Sequence, residues 1–252
     1  MVSIVIPAVS IRKHNKEDLE NLLNCIEPEC YKATVCCFDG CDIDFVDYFR
    51  ERYKFITSLH NRGNRLKFSR NSNVGLRYVR DVIKDSDGVF LINQDTLIPK
   101  FKYMEQVIGS GLATPTTTPD KDLENQPANV VRNQLNNKFP FFCPWFSMEL
   151  IHDVGLLDED LPVLFSDDAY VFKVLLQGKH LVESVNTKVF HRGSHLEIKE
   201  GWESGSGTYV ANDLSLGLLQ WQVKLGLQGV PHDELIKEGL KKFIWKDEMK
   251  VV

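Results

Sequence analysis

The feature that most constrains this chain is the alternation, through residues 2–92, of short apolar runs with helical stripes, each run ending in a polar turn. Val2-Ser-Ile-Val-Ile6 is a β-branched run closed by Pro7, the pattern of a central buried strand. Leu19, Leu22, Leu23 and Ile26 then fall on one helix face, with Asn15 placed as an N-cap. Ala33 to Phe38 reads as a second strand, followed by the turn Asp39-Gly40-Cys41-Asp42 and a helical stripe of Val46, Phe49 and Tyr53. Phe55 to Leu59 is a third strand, Leu76, Val79 and Ile83 mark a third helix, and Gly88 to Ile92 a fourth strand. This alternation predicts an α/β fold with a mostly parallel sheet and helices on both faces.

In such sheets ligands bind beyond the carboxyl ends of the strands, so three polar segments converge on one crevice. They are Pro7-Ala8-Val9, Asp39 to Asp42 and Asn93-Gln94-Asp95. Residues 114–138 are polar and rich in breakers, which reads as a surface connection or a mobile loop over the site. Order returns with Phe139 to Trp145, a short helix from Ser147, a helix from Asp167 to Gln177 and strand material from Leu181 to Phe190. The predicted domain spans residues 1–198, divided near residue 100 into a nucleotide-binding half and an acceptor-binding half. A C-terminal extension, 199–252, carries helical patterns around Val210 to Leu227 and Glu234 to Ile244. Those helices are expected to pack on the main domain, with a homodimer contact or a membrane surface as the alternatives.

Composition removes several function classes. A net charge of -5 and a pI near 5.8 argue against binding a phosphate backbone, which needs clustered Lys and Arg. No apolar run approaches the roughly 18 residues of a membrane span, and the N-terminus has no signal-peptide pattern, so a cytoplasmic protein is expected. The cysteines at 25, 30, 36, 37, 41 and 143 make no CxxC pairs, and adjacent Cys36 and Cys37 would face opposite sides of a strand, so reduced structural thiols are expected. No GxGxxG or P-loop pattern supports an oxidoreductase or a kinase.

Seven segments in order resemble the GT-A-fold, family 2 glycosyltransferases, especially their rhamnosyltransferase-like members. They are Val2-Ser-Ile-Val-Ile-Pro7, Phe38-Asp-Gly-Cys-Asp42, Arg70-Asn71, Phe90-Leu-Ile-Asn-Gln-Asp-Thr96, Val154-Gly-Leu-Leu-Asp-Glu159, Ser166-Asp-Asp168 with Gly178, and Val189-Phe-His191. The resemblance implies a GT-A, Rossmann-like sheet and a metal-dependent, inverting hexosyltransferase of the EC 2.4 class. Such an enzyme moves a sugar from a nucleoside diphosphate sugar to a hydroxyl of a glycan or other acceptor.

Asn93-Gln94-Asp95 resembles the family's DxD motif with Asn in place of the first acid. Asp95 is then the ligand of Mn²⁺ or Mg²⁺, a hard cation that takes oxygen donors and bridges diphosphate oxygens. His191 matches a family histidine that completes the metal site, which tilts the cation toward manganese; His195 is the fallback. Asp167 matches the catalytic base, with Asp168 as runner-up. Asp39 matches an aspartate that accepts the ring N–H of uracil, which favours UDP first and then dTDP or GDP. Pro7, Ala8 and Val9 would wall the nucleoside, with Arg70, Asn71, Asn93 and Gln94 as further donor contacts and Arg62 beside them. Phe141, Phe142, Trp145, Asp158 and Glu159 would form the acceptor side, although the aromatics fit core packing equally well.

Two rivals remain on the sequence. A non-catalytic nucleotide-sugar or glycan-binding paralogue is motivated by Asn93. A sugar-1-phosphate nucleotidyltransferase would need a Gly-rich signature after strand one, which Pro7-Ala-Val-Ser-Ile-Arg12 lacks.

Overall fold

The computed structural model describes residues 1–11, 14–109, 111–118, 141–161, 166–179, 181–192 and 243–245. Strands β1 (Ser3–Ala8), β2 (Ala33–Asp39), β3 (Ile56–Asn61) and β4 (Gly88–Leu91) lie in the order β3-β2-β1-β4, all parallel. Val5 stands opposite Val35 on one side and Leu91 on the other, so the carboxyl ends of these strands emerge along one edge. The second half adds β5 (Thr96–Leu97), β6 (Leu112–Thr118), β7 (Trp145–Ser147), β8 (Leu181–His191) and β9 (Phe243–Trp245) to the same sheet. There β7 runs antiparallel to β4 and β6, β8 runs parallel to β6, and β5 pairs antiparallel with the end of β8.

The helices are α1 (Asn15–Cys25), α2 (Ile43–Arg52), α3 (Lys67–Tyr78), α4 (Phe101–Met104), α5 (Met148–Val154) and α6 (Ser166–Leu176). Period-2 alternation in the central strands makes two cores. Ile4, Ile6, Cys36 and Phe38 meet Leu19, Leu22 and Leu23 of α1 and Val46 and Phe49 of α2. Val5, Val35 and Cys37 meet Leu76 of α3, Leu150 and Ile151 of α5, and Tyr170 and Val174 of α6. Each fully buried side chain of this size contributes about 1.5–3 kcal/mol. Cys36 and Cys37 thus face opposite cores as expected, all six cysteines are free thiols, and burial pushes Cys37 up to about 12. Helix α3 rides close on the sheet at Gly75, where a Cβ would stand 2.4 Å from Val5 Cγ1 and 2.8 Å from Cys37 Sγ.

Several elements depart from expectation. Pro7 lies inside β1 rather than after it. The Val5 carbonyl accepts from Ile92, so Pro7, two residues on, turns its missing N–H to the same side, beyond the point where β4 pairing ends. Asn15 opens α1 rather than capping it. Thr114 to Thr118, read as loop, belong to β6: the threonines are β-branched, and Pro115 sits at a register irregularity where no regular ladder bond is required. The helical pattern ending at Ile244 finishes in strand β9, whose Phe-Ile-Trp sequence favours a pleated surface. The remainder of the 199–252 extension, with its proposed dimer contact, lies outside the described residues, as do most of 114–138 and His195. No helix among the described residues is long and apolar enough to cross a membrane.

Candidate active site

Backbone pairing brings the two sequence-predicted metal ligands together from 96 residues apart. In the β5–β8 pair Thr96 stands opposite His191, and the Arg192 N–H donates to the Asp95 carbonyl at 3.0 Å. The result is a 3.2 Å approach of His191 Nε2 to Asp95 Oδ1. The His191 ring stacks on Phe142, with centroids 3.7 Å apart and planes at 14°, which fixes its orientation. Two donor atoms bound side by side on one cation, each about 2.1 Å from it, stand roughly 3 Å apart. The observed spacing fits that arrangement, and it also serves a direct imidazole–carboxylate hydrogen bond. Among the described residues no three His, Cys, Asp or Glu side chains converge as a metal group.

The rest of the Asn93-Gln94-Asp95 segment is built into the sheet edge. Gln94, expected to touch the donor, is buried and clamps Val9: its Oε1 accepts the Val9 N–H at 2.6 Å and its amide donates to the Val9 carbonyl at 3.3 Å. Val9 has the same parity as Val5, so the Gln94 amide continues the β1–β4 ladder after β4 has ended. Asn93 donates its N–H to the Phe142 carbonyl and accepts from Thr96, which forms the turn that presents Asp95. Its side-chain Oδ1 is a buried acceptor with no hydrogen-bond partner, an orphan that a ligand or water donor would satisfy.

Asp39 is placed at the expected strand end but in an unexpected role. Its Oδ1 accepts from Asn61 Nδ2 and the Leu66 N–H, both at 2.8 Å, and its Oδ2 accepts the Lys67 N–H at 2.9 Å. None of its side chain meets solvent, and Arg65 lies 3.9 Å away, over Gly40. The carboxylate ties the 61–67 turn to the N-terminus of α3, where Lys67 takes a left-handed φ of 63°. A base N–H would reach it only after that turn moves. Asn71 is also engaged internally, donating to the Cys37 carbonyl at 2.8 Å, while exposed Arg70 donates to the Glu159 carbonyl at 3.1 Å. Pro7 and Ala8 are buried in β1, and Val9 is partly open at its end.

On the acceptor side the structure separates the predicted residues. Trp145 is 1% exposed, packs its ring on Phe90 and donates its indole N–H to the Gly109 carbonyl at 2.8 Å. It is a core residue rather than a sugar platform, because both its faces and its polar atom are used inside the fold. Phe141 likewise belongs to the second core. Asp158 Oδ1 accepts from the Asp160 N–H, and Glu159 accepts from Asn73 and Arg77 of α3. Burial opposes the Glu159 charge, but those hydrogen bonds outweigh it and hold the carboxyl below its ordinary range. Asp167 is the second residue of α6, partly exposed at a helix N-terminus, where a carboxylate is favoured. The side chain of Asp168 lies outside the described residues.

A further pair was missed by sequence reasoning. Arg192 Nη1 contacts the buried Asp18 Oδ1 at 2.5 Å, with Glu17 at 3.9 Å. The signal was present: Asp18 occupies the inward stripe that includes Leu19 and Leu22, where an acid needs a partner.

No family model and no curated protein matches this sequence. Solved structures do share its fold. The chain is similar to the mannosyltransferase PcManGT from Pyrobaculum calidifontis, in complex with GDP-Man and Mn²⁺, with a TM-score of 0.64 and 15% identity over 94% of this chain and 68% of that one. It is similar to GalNAc-T7 with UDP, GalNAc and Mn²⁺, with a TM-score of 0.57 and 11% identity over 76% of this chain and 44% of that one. The fold is of the GT-A type, a mixed α/β sheet whose first half is parallel. The chain spans less than half of the second structure's length.

Proposed function

We propose that this chain is a metal-dependent glycosyltransferase that uses a nucleoside diphosphate sugar. The observation that carries the reading is the Asp95–His191 approach at the carboxyl edge of a GT-A sheet. Asp95 and His191 would hold Mn²⁺, or less favourably Mg²⁺, because a carboxylate with one imidazole suits the former. When bound, the cation supplies Lewis-acid neutralisation of charge on the departing diphosphate. The orphan Asn93 Oδ1, two residues before Asp95, and the partly exposed Val9, whose backbone Gln94 already holds, are the groups proposed to meet a donor.

Asp167 is proposed as the base that removes the acceptor hydroxyl proton as that oxygen bonds to the anomeric carbon and the bond to the diphosphate breaks. The reaction inverts the anomeric centre, and the chain groups with the rhamnosyltransferase-like branch of family 2. Both statements rest on the segments that resemble that family. UDP is the first-choice donor, then dTDP or GDP; Asp39 has about one acceptor site left after its three hydrogen bonds, and the 61–67 turn must yield for a base to use it. The two similar structures contain GDP-Man and UDP respectively, which agrees with donors of this class.

A panel of UDP-, dTDP-, GDP-, CMP- and ADP-sugars, with and without Mn²⁺, tests the reading by thermal shift and by nucleoside diphosphate release. Mn²⁺-dependent release with a U, T or G donor is expected, falling at least about 100-fold in Asp167→Ala. Selective binding without release from any donor would instead favour the non-catalytic paralogue that Asn93 motivates.

A further inference from the structure

Two contacts tie the start of the chain to the metal pair from both sides. Gln94, just before Asp95, holds the backbone of Val9, and Arg192, just after His191, holds Asp18 in the first turn of α1. The Arg192 main chain meanwhile donates to the Asp95 carbonyl. Arg192 therefore contacts the Asp95 backbone through its N–H and α1 through its guanidinium. The imidazole of the preceding residue approaches the Asp95 carboxylate.

Asp18 is an expensive choice for its position. Its side chain is 3% exposed, beside Leu19, Leu22 and Leu23, and a leucine there would pack without desolvating a charge. The facing groups are Arg192 at 2.5 Å, which is one-quarter exposed, and Asp95 and His14, close enough to act on it electrostatically. Glu17, mostly exposed at 3.9 Å from Arg192, adds only a screened interaction. The buried carboxylate is thus the anchor of Arg192, which otherwise has a long side chain free to sample many rotamers.

We propose that Asp18 is a positioning residue that acts through Arg192 to hold His191 at cation spacing from Asp95. The inference rests on the metal-pair reading above. Outer partners of metal ligands commonly alter affinity by about 10–100-fold when removed, and Asp18 stands one contact further out, so the lower end is expected.

The test uses the full chain and Mn²⁺ alone, titrated by the electron paramagnetic resonance signal of the free ion. Asp18→Asn and Asp18→Leu should weaken Mn²⁺ binding about 10-fold, and Asp18→Glu should recover most of it. Metal-free nucleotide binding should stay at the wild-type level in all three. The ring ¹⁵N resonances of His191, assigned with His191→Gln, should shift in Asp18→Asn without metal. A folded Asp18→Leu or Asp18→Asn protein with wild-type Mn²⁺ affinity and unshifted His191 signals would overturn the proposal. If wild type takes up no Mn²⁺ yet the His191 signals move in Asp18→Asn, the positioning stands and the metal reading falls.

Discussion

Asp39 ends β2 and Asp95 follows β4, so both carboxylates come off one edge of the same parallel sheet, yet the Asp39 side chain is 0% exposed and that of Asp95 25%. Asp39 gives both oxygens to a neighbouring turn and binds two main-chain N–H groups of the segment that starts α3. Asp95 approaches an imidazole and keeps a path to solvent. Position at the carboxyl edge therefore does not define a ligand group. What separates the two is access: Asp39 is sealed from solvent under the turn whose donors it binds and stabilises the fold, whereas the partly exposed Asp95 carboxylate can be reached by a cation.

The largest expected effect comes from breaking the open member of the pair. Asp95→Ala should abolish the Mn²⁺-dependent thermal shift and lower nucleoside diphosphate release by about 100-fold or more, about 2.7 kcal/mol. Its metal-free Tm should move little. His191→Ala should follow in the same direction at about 10–100-fold. Should Asp95→Ala retain the Mn²⁺-dependent shift, Asp95 would be a structural acid like Asp39 and the contrast would collapse.

Breaking the closed member should do the reverse. Asp39→Ala leaves the Leu66 and Lys67 N–H groups and the Asn61 amide without their acceptor, a loss of about 2–4 kcal/mol measured by urea unfolding. Asp39→Asn should be nearly as damaging, because its amide turns donors toward donors. A normal urea midpoint combined with lost nucleotide binding would show that Asp39 contacts the base directly.

Gln94 connects the two cases, being in the metal segment by sequence and in the sheet by contact. Gln94→Ala removes both bonds to Val9 and should cost about 1–2 kcal/mol while raising the Mn²⁺ concentration needed for half-maximal stabilisation. Unchanged metal dependence in a destabilised variant would confine the clamp to folding.

Much of this was legible in the sequence, for identifiable reasons. Period-2 and period-3.6 patterns placed β1 to β4 and the core faces of α1 to α3 because burial enforces those periods. Asp95 stood out by its place after an apolar run and His191 by the family resemblance, though only the β5–β8 pairing shows that they meet. Trp145 was not legible, since an aromatic after a Pro-rich stretch looks the same whether it faces a sugar or Phe90. The Gln94 clamp and the closure over Asp39 depend on side-chain-to-backbone bonds across distant segments, which leave no periodic trace. Asp18 was readable as an acid on an inward stripe, but its partner 174 residues away was not.

Glu159 provides the smallest and most pH-specific test, as an acid intermediate between the two. It accepts from Asn73 and Arg77 and thereby fastens the segment before α6 to α3, but its side chain is 37% exposed. Its folded pKa lies below the ordinary 4.5, so its contribution is fully present above that value and is lost as pH falls through the lower folded value. Solvent screening limits it to under about 1 kcal/mol. The stability difference between wild type and Glu159→Gln should accordingly be flat from neutral pH down to about 5 and shrink toward zero in more acidic solution. A difference that persists unchanged at acid pH would mean that the amide fails for shape rather than charge. Glu159 would then resemble Asp39, an acid whose value lies in the geometry it imposes.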